Sequence, residues 1–154
     1  RLGRGIRVAL GTDGAASDDD LGLLAEARSA GFVSAGVAAT PGELIASDLV
    51  RMATLEGAQT LGLGEVTGSL VPGKWADLCC IDLRAPRSWP VHDVATALIY
   101  AASSQQVTDT WVAGRRLLAD GRLRTIDESA VLERAEAWAA RLDATAPTED
   151  SAHG

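Results

Sequence analysis

The chain changes hydrophobic texture along its length. Ile6 to Leu10 is apolar except for Arg7 and is bounded by glycines, the pattern of a buried strand. From Ser17 to Ala30 the spacing is helical, with Leu21, Leu24, Ala25 and Arg28 following it. Ser17 is placed to cap that helix and Asp20 stands at its third position. Gly31 to Gly42 is rich in Gly, Ala, Ser and Thr, which predicts a loose connector. Glu43 to Leu63 predicts a helical pair. Ile45, Leu49, Met52 and Ala53 lie on one face, the bend falls near Thr54, and Gly62 and Gly64 close the segment.

Beyond residue 64 the pattern shortens. Gly68-Ser69-Leu70-Val71-Pro72-Gly73-Lys74 is turn chemistry, and Ala76 to Leu83 predicts a strand. Asp93 can cap a short helix to Ala102. Val107 to Val112, Ala113-Gly114 and Arg115 to Leu118 predict a hairpin. Ile126 to Asp143 predicts an amphipathic helix with Leu132, Ala135, Trp138, Ala139 and Leu142 facing inward. The remainder after Ala146 is expected to be disordered. No internal repeat is visible.

At 154 residues the chain has the size of one domain and could bury about 70% of its unfolded surface. Its hydrophobic content of 47% and charged content of 23% are ordinary for a globular protein. A net charge of -7, with no basic stripe, argues against nucleic acid or an anionic membrane as partner. The start has no apolar signal region, and no apolar run would span a bilayer. The two cysteines, Cys79 and Cys80, are adjacent in a strand-like run, where a disulfide would be strained. Two buried free thiols in a reducing cytoplasm are expected. Trp75, Trp89, Trp111 and Trp138 are expected in cores or seams. Opening on Arg1, mid-pattern, suggests part of a longer protein.

The chemistry concentrates in "VALGTDGAASDDDL". Asp18, Asp19 and Asp20 would sit in a first helical turn, where negative charge meets the positive end of the macrodipole. Asp13 follows a strand and precedes a helix, between Gly11 and Gly14, which let another group come close. Its residue type allows an Asx-turn, a cap or catalysis.

Four ordered stretches narrow that choice: "VALGTDGAAS", "RMATLEGAQTLGL", "GSLVPGKWADL" and "VTDTWVAGRRLLADGRL". Together they resemble the C-terminal part of the amidohydrolase superfamily. The look is nearest to 5-methylthioadenosine/S-adenosylhomocysteine deaminases and the related triazine hydrolases, over Gly5 to Leu142. The resemblance implies an α/β fold: the last strand and helices of a TIM barrel plus half of a composite β-sandwich. Residues 1–64 would end the barrel, 65–125 form the sandwich half, 126–145 a terminal helix and 146–154 a tail. Gly68, Gly73, Lys74 and Asp77 would be structural.

By the same resemblance Asp13 is the catalytic, substrate-binding and metal residue of a hydrolytic deamination of a purine-like heterocycle. A zinc-like divalent ion lowers the pKa of bound water to about 7, and a carboxylate beside it accepts the proton and returns it to the departing amine. The family's other ligands are histidines on earlier strands. Here the only histidines are His92, in a turn, and His153, in the tail, so the chain alone is expected to be inactive. Where the family pattern has "SNN", this chain has Ser17-Asp18-Asp19, which would repel an anionic substrate. The segment Gly31 to Gly42 also lacks the basic residue usual after this helix. The implied partner is a small heterocyclic amine, and the intact enzyme is a cytoplasmic homo-oligomer by analogy. A triazine- or guanine-type hydrolase and a non-catalytic remnant are the competing readings.

Overall fold

The computed structural model describes residues 6–38 and 44–145. Two compact units divide the chain, Arg1–Arg122 and Leu123–Gly154. The disordered tail expected after Ala146 lies outside the described residues.

The first unit opens with an extended segment rather than a strand. Ile6 to Gly14 joins no ladder, and Ile6 is 65% exposed. The strand expected over Ile6 to Leu10 is therefore not formed. A parallel strand is defined by neighbours on its two edges, and none of the described segments pairs with it. Leu10 packs against the helical core.

The single helix expected from Ser17 to Ala30 is two. Helix α1 spans Ala15–Asp18 and α2 spans Leu23–Val37. Between them Asp19 and Leu21 take φ of 61° and 52°, a left-handed break that no helix propagates. Asp20 Oδ1 accepts from the Gly22 amide at 2.5 Å and so leads the chain into α2. At its other end α2 overruns the expected connector, through Gly31 to Val37. Gly31 is recruited by packing: a Cβ there would meet the Tyr100 hydroxyl at 2.5 Å and Leu49 Cδ1 at 3.1 Å. The helix uses its glycine for close approach, and tertiary contact overrides the weak propensity.

Helices α3 (Ala46–Ala53) and α4 (Leu55–Thr60) form the expected pair. They bend at Thr54, whose hydroxyl donates to Val50 O at 2.7 Å. Leu49 and Met52 are buried on the shared face, whereas Ile45 precedes the helix and is exposed. The Asp48 carboxylate accepts from the Ile45 amide and ties down the start of α3. Ala27, Ala46, Leu49, Met52 and Ile99 make the core. Ile99 comes from a helical segment whose first turn, α5 (Val94–Thr96), is capped by Asp93 at 2.7 Å from the Thr96 amide. Its last turn, Ala97–Ala101, widens to a π-helix. Arg28 fastens that end, donating to the carbonyls of Ile99 and Ala102.

A four-stranded sheet follows in the order β1-β2-β3-β4: Leu78–Ile81, Val107–Val112, Arg115–Ala119 and, at the boundary between the units, Arg122–Leu123. The expected hairpin is present, antiparallel, with Trp111 opposite Arg116. Ala113 and Gly114 carry φ of 49° and 77°, the two positive values of a type I′ turn. Strand β1 is shorter than expected and lies at the sheet edge. Cys79 and Cys80 on it are free and exposed, not buried. Neighbouring atoms still partly desolvate Cys79 and push its thiol up. Trp75 and Trp89 are exposed rather than core, and Trp111 is half-buried beneath the Arg116 guanidinium, 5.4 Å from the ring centre.

The second unit is built on α6 (Glu128–Thr145). Asp127 caps it, accepting from the Ala130 amide at 3.2 Å. The face expected to point inward is exposed at Leu132, Trp138 and Leu142. Among the described residues no helix is long and apolar enough to cross a membrane.

Candidate functional site

Asp13 stands at the end of the extended segment, immediately before α1. Its φ is 58°, a left-handed conformation that aspartate tolerates better than most residues. The carboxylate is exposed. At both Gly11 and Gly14 an added Cβ would meet nothing within 4 Å, so neither glycine is required by packing among the described residues. One turn on, Ser17 Oγ lies 3.2 Å from Asp13 Oδ2 and 2.9 Å from Gly14 O. The sequence presents Ser17 as a helix cap; in the fold it reaches back toward Asp13 instead. Spacing of four residues into a helical turn was the available signal.

The three acids after Ser17 do not open a helix together. Asp18 ends α1, Asp19 is in the left-handed break and Asp20 holds the Gly22 amide. One oxygen of Asp18, Oδ2, is enclosed and accepts no hydrogen bond. Glu26 on α2 is drawn into this acidic surrounding. A hydrogen bond with Asp18, desolvation, and repulsion from Asp18 and Asp20 raise its pKa above the usual glutamate range.

A second feature escaped the sequence. An open, largely apolar cavity of about 640 Å³ lies within the first unit, lined among others by Leu10, Leu23, Leu61, Leu70, Leu78 and Trp111. Asp13 is not among its lining residues. The signal was present in leucines that no single helix or strand face accounts for.

Of the residues expected to be structural, Gly68, Lys74 and Asp77 make contacts that fix backbone, and Gly73 takes φ of 94° in open space. Gly68 has φ of 83°, and a Cβ there would meet Ala58 Cβ at 2.6 Å. Lys74 Nζ donates to the carbonyls of Gly64 and Thr67. Asp77 Oδ1 accepts from the Ala113 amide at 2.6 Å, and that bond, followed by one from Thr67, holds the Asp77 carboxyl below the usual range.

Asp13 fits a metal as one donor: an exposed carboxylate oxygen at an unobstructed tip suits a divalent ion. It does not make a site. Among the described residues no group of three or more His, Cys, Asp or Glu could hold a metal. His92 is exposed in a turn before α5, and His153 lies outside the described residues.

Comparison with known proteins then sets the context. The profile described as the amidohydrolase family matches residues 1–117. A 5-methylthioadenosine/S-adenosylhomocysteine deaminase of Thermodesulfovibrio yellowstonii is 37% identical over 139 residues, which is 90% of this chain and 32% of that protein. The crystal structure of an adenosine deaminase from Xanthomonas campestris with bound zinc shares 41% identity at a TM-score of 0.87. That match covers 92% of this chain and 32% of that one. An atrazine chlorohydrolase from Arthrobacter aurescens, complexed with zinc and atraton, follows at 32% identity and a TM-score of 0.76, covering 88% and 30%. The chain thus spans about a third of the length of the proteins it matches.

Proposed function

The chain belongs to the amidohydrolase family, and from that premise we propose that it is the C-terminal part of a metal-dependent aminohydrolase. The substrate class is a purine nucleoside-like heterocycle of the 5-methylthioadenosine/S-adenosylhomocysteine type, a small amine in the cytoplasm. Residues 1–64 then end a TIM barrel, 65–125 supply half of a β-sandwich and 126–145 a terminal helix. The observation that carries this reading is Asp13: an accessible carboxylate at the end of an extended, unpaired apolar segment, in a chain similar throughout to named deaminases.

In this reading Asp13 is one ligand of a divalent ion, zinc by analogy with the solved relatives. The ion's contribution is to acidify water to near neutrality. Asp13 itself accepts a proton from the attacking water at a carboxylate oxygen and passes it to the departing amine. The remaining ligands, and the groups that read the ring, lie outside the described residues. A triazine-type hydrolase is the second reading, favoured by the atrazine chlorohydrolase similarity; it uses the same carboxylate with a different leaving group.

The test is Asp13→Asn in the intact polypeptide that carries these residues, with ammonia release from 5-methylthioadenosine as the measurement. A fall in kcat of about 10³-fold or more is expected. Unchanged ammonia release removes the assignment of Asp13. Release of chloride from a chlorotriazine, with none of ammonia from the nucleoside, favours the second reading.

A further inference from the structure

We infer that the apolar cavity of the first unit is an intramolecular docking seat, filled by an apolar segment of the polypeptide that precedes residue 1. This rests on one part of the reading above, that the chain is the C-terminal portion of a longer protein.

Three unmet demands converge at this place. The cavity is open and measures about 640 Å³, room for about twenty waters at ~30 Å³ each. Leu61 and Leu70 on its wall are 76% and 82% exposed, and apolar surface left to water on this scale marks a contact face. A second wall is β1, through Leu78 and Cys79. Among the described residues that strand pairs only with β2, so its other edge leaves backbone groups unpaired. Leu10 lines the cavity too, and it ends the apolar segment from Ile6 that joins no ladder. An occupant would therefore pin Leu10, three residues before Asp13, and steady the segment that carries the carboxylate.

A small polar ligand suits the lining poorly. Ligand cavities place a few polar groups to fix orientation, whereas here Thr54 gives its hydroxyl to Val50 O and Asp77 holds the Ala113 amide. What remains is chiefly leucine, alanine and glycine beside Trp111. The material to fill the seat follows from the relatives: the matched part is about a third of their length, which leaves about two thirds of such a polypeptide elsewhere. A covalently attached segment acts at high effective concentration, so it outcompetes a second copy of the chain.

The experiment puts a photoreactive p-benzoylphenylalanine in place of Leu70 in the intact polypeptide and maps the crosslinks by peptide mass spectrometry. A crosslink to a peptide N-terminal to Arg1 is the expected result. Crosslinks confined to residues 1–154, a covalent dimer or no crosslink in a folded variant each overturn the inference. The unaltered polypeptide gives a second readout that does not depend on how the variant folds. Cys79 lines the seat, so its alkylation by iodoacetamide is expected to be at least about 30-fold slower in the folded protein than in urea. A smaller ratio overturns the inference as well. Neither measurement needs turnover. Crosslinking and protection without ammonia release from 5-methylthioadenosine leave the docking seat standing and remove the function reading; ammonia release without them does the reverse.

Discussion

The tip around Asp13 and the turn at Ala113-Gly114 use the same rare backbone in opposite circumstances. Asp13, Asp19 and Leu21 all take positive φ within nine residues, as do Ala113 and Gly114. In the hairpin the left-handed pair is what a type I′ turn needs. It is tied down by β-ladder bonds and by Asp77 on the Ala113 amide. At the tip no ladder exists, and local bonds restrain the chain: the Ser17 and Asp18 amides on Gly14 O, the Ser17 hydroxyl toward Gly14 O and Asp13, and Asp20 on the Gly22 amide. A non-glycine residue in that region costs about 1–2 kcal/mol. The sheet half offsets its strain locally. The tip concentrates strain where a carboxylate is presented, which is where a functional constraint is expected to sit.

If the sheet half and the turn behind it are self-sufficient, the sharpest way to damage them lies far from Asp13. Gly68→Ala is that change. The new Cβ would sit 2.6 Å from Ala58 Cβ and 3.0 Å from Leu55 Cα and Thr54 O, largely backbone that cannot swing aside. The φ of 83° adds strain of its own. A loss of about 2–4 kcal/mol is expected, read as a lower denaturant midpoint with the slope unchanged. A loss below about 1 kcal/mol would mean the loop after α4 yields as readily as the tip does.

This contrast also explains what could be read in advance. The hairpin, the bend at Thr54 and the Asp93 cap are decided by neighbours close in sequence or by one turn type, so local pattern carried them, whereas the structural reading of Gly68, Lys74 and Asp77 came from the family resemblance. Asp13 was legible as a candidate because glycines and strand-to-helix placement mark it. The Ile6 to Leu10 strand was legible as a pattern yet absent as a ladder, because a strand's identity depends on partners the local sequence does not contain. The run of α2 through Gly31 was hidden for a related reason. Only the Tyr100 hydroxyl and Leu49, distant along the chain, explain the glycine. The thiols of Cys79 and Cys80 were misplaced because an apolar run does not say what covers the faces of its strand.

A smaller effect is acid dependence. The folded state holds Asp77 below its usual pKa, first through the Ala113 amide and then through Thr67. The bond therefore contributes stability in full above the unfolded value near 3.9 and loses it as the pH falls through the lower folded value. Asp77→Asn keeps an acceptor for the amide and removes the titrating group. Its unfolding midpoint is expected to fall less steeply than that of the unaltered protein as the pH drops below about 4. The flattening is partial, because Asp82, Asp93 and Asp109 are held low by their own partners. Equal acid slopes in the two proteins would show that the Asp77 bond is not part of the stable half.

The smallest expected change improves the hairpin and thereby tests the comparison from the other side. Ala113 takes φ of 49° at the first central position of the turn, where its Cβ pays the left-handed cost. Asparagine tolerates that region, and Asn-Gly is the favoured pair for a type I′ turn. The side chain is exposed and the amide bonded to Asp77 is unaltered, so Ala113→Asn adds no clash and removes no bond. A gain of about 0.5–1 kcal/mol in unfolding free energy is expected by chemical denaturation. Zinc affinity of the intact polypeptide should not move, since the turn shares no residue with the tip. A stability loss would mean that the turn's φ is imposed by its surroundings, as at Asp13, rather than chosen by the hairpin. The two regions would then differ only in how many bonds hold them.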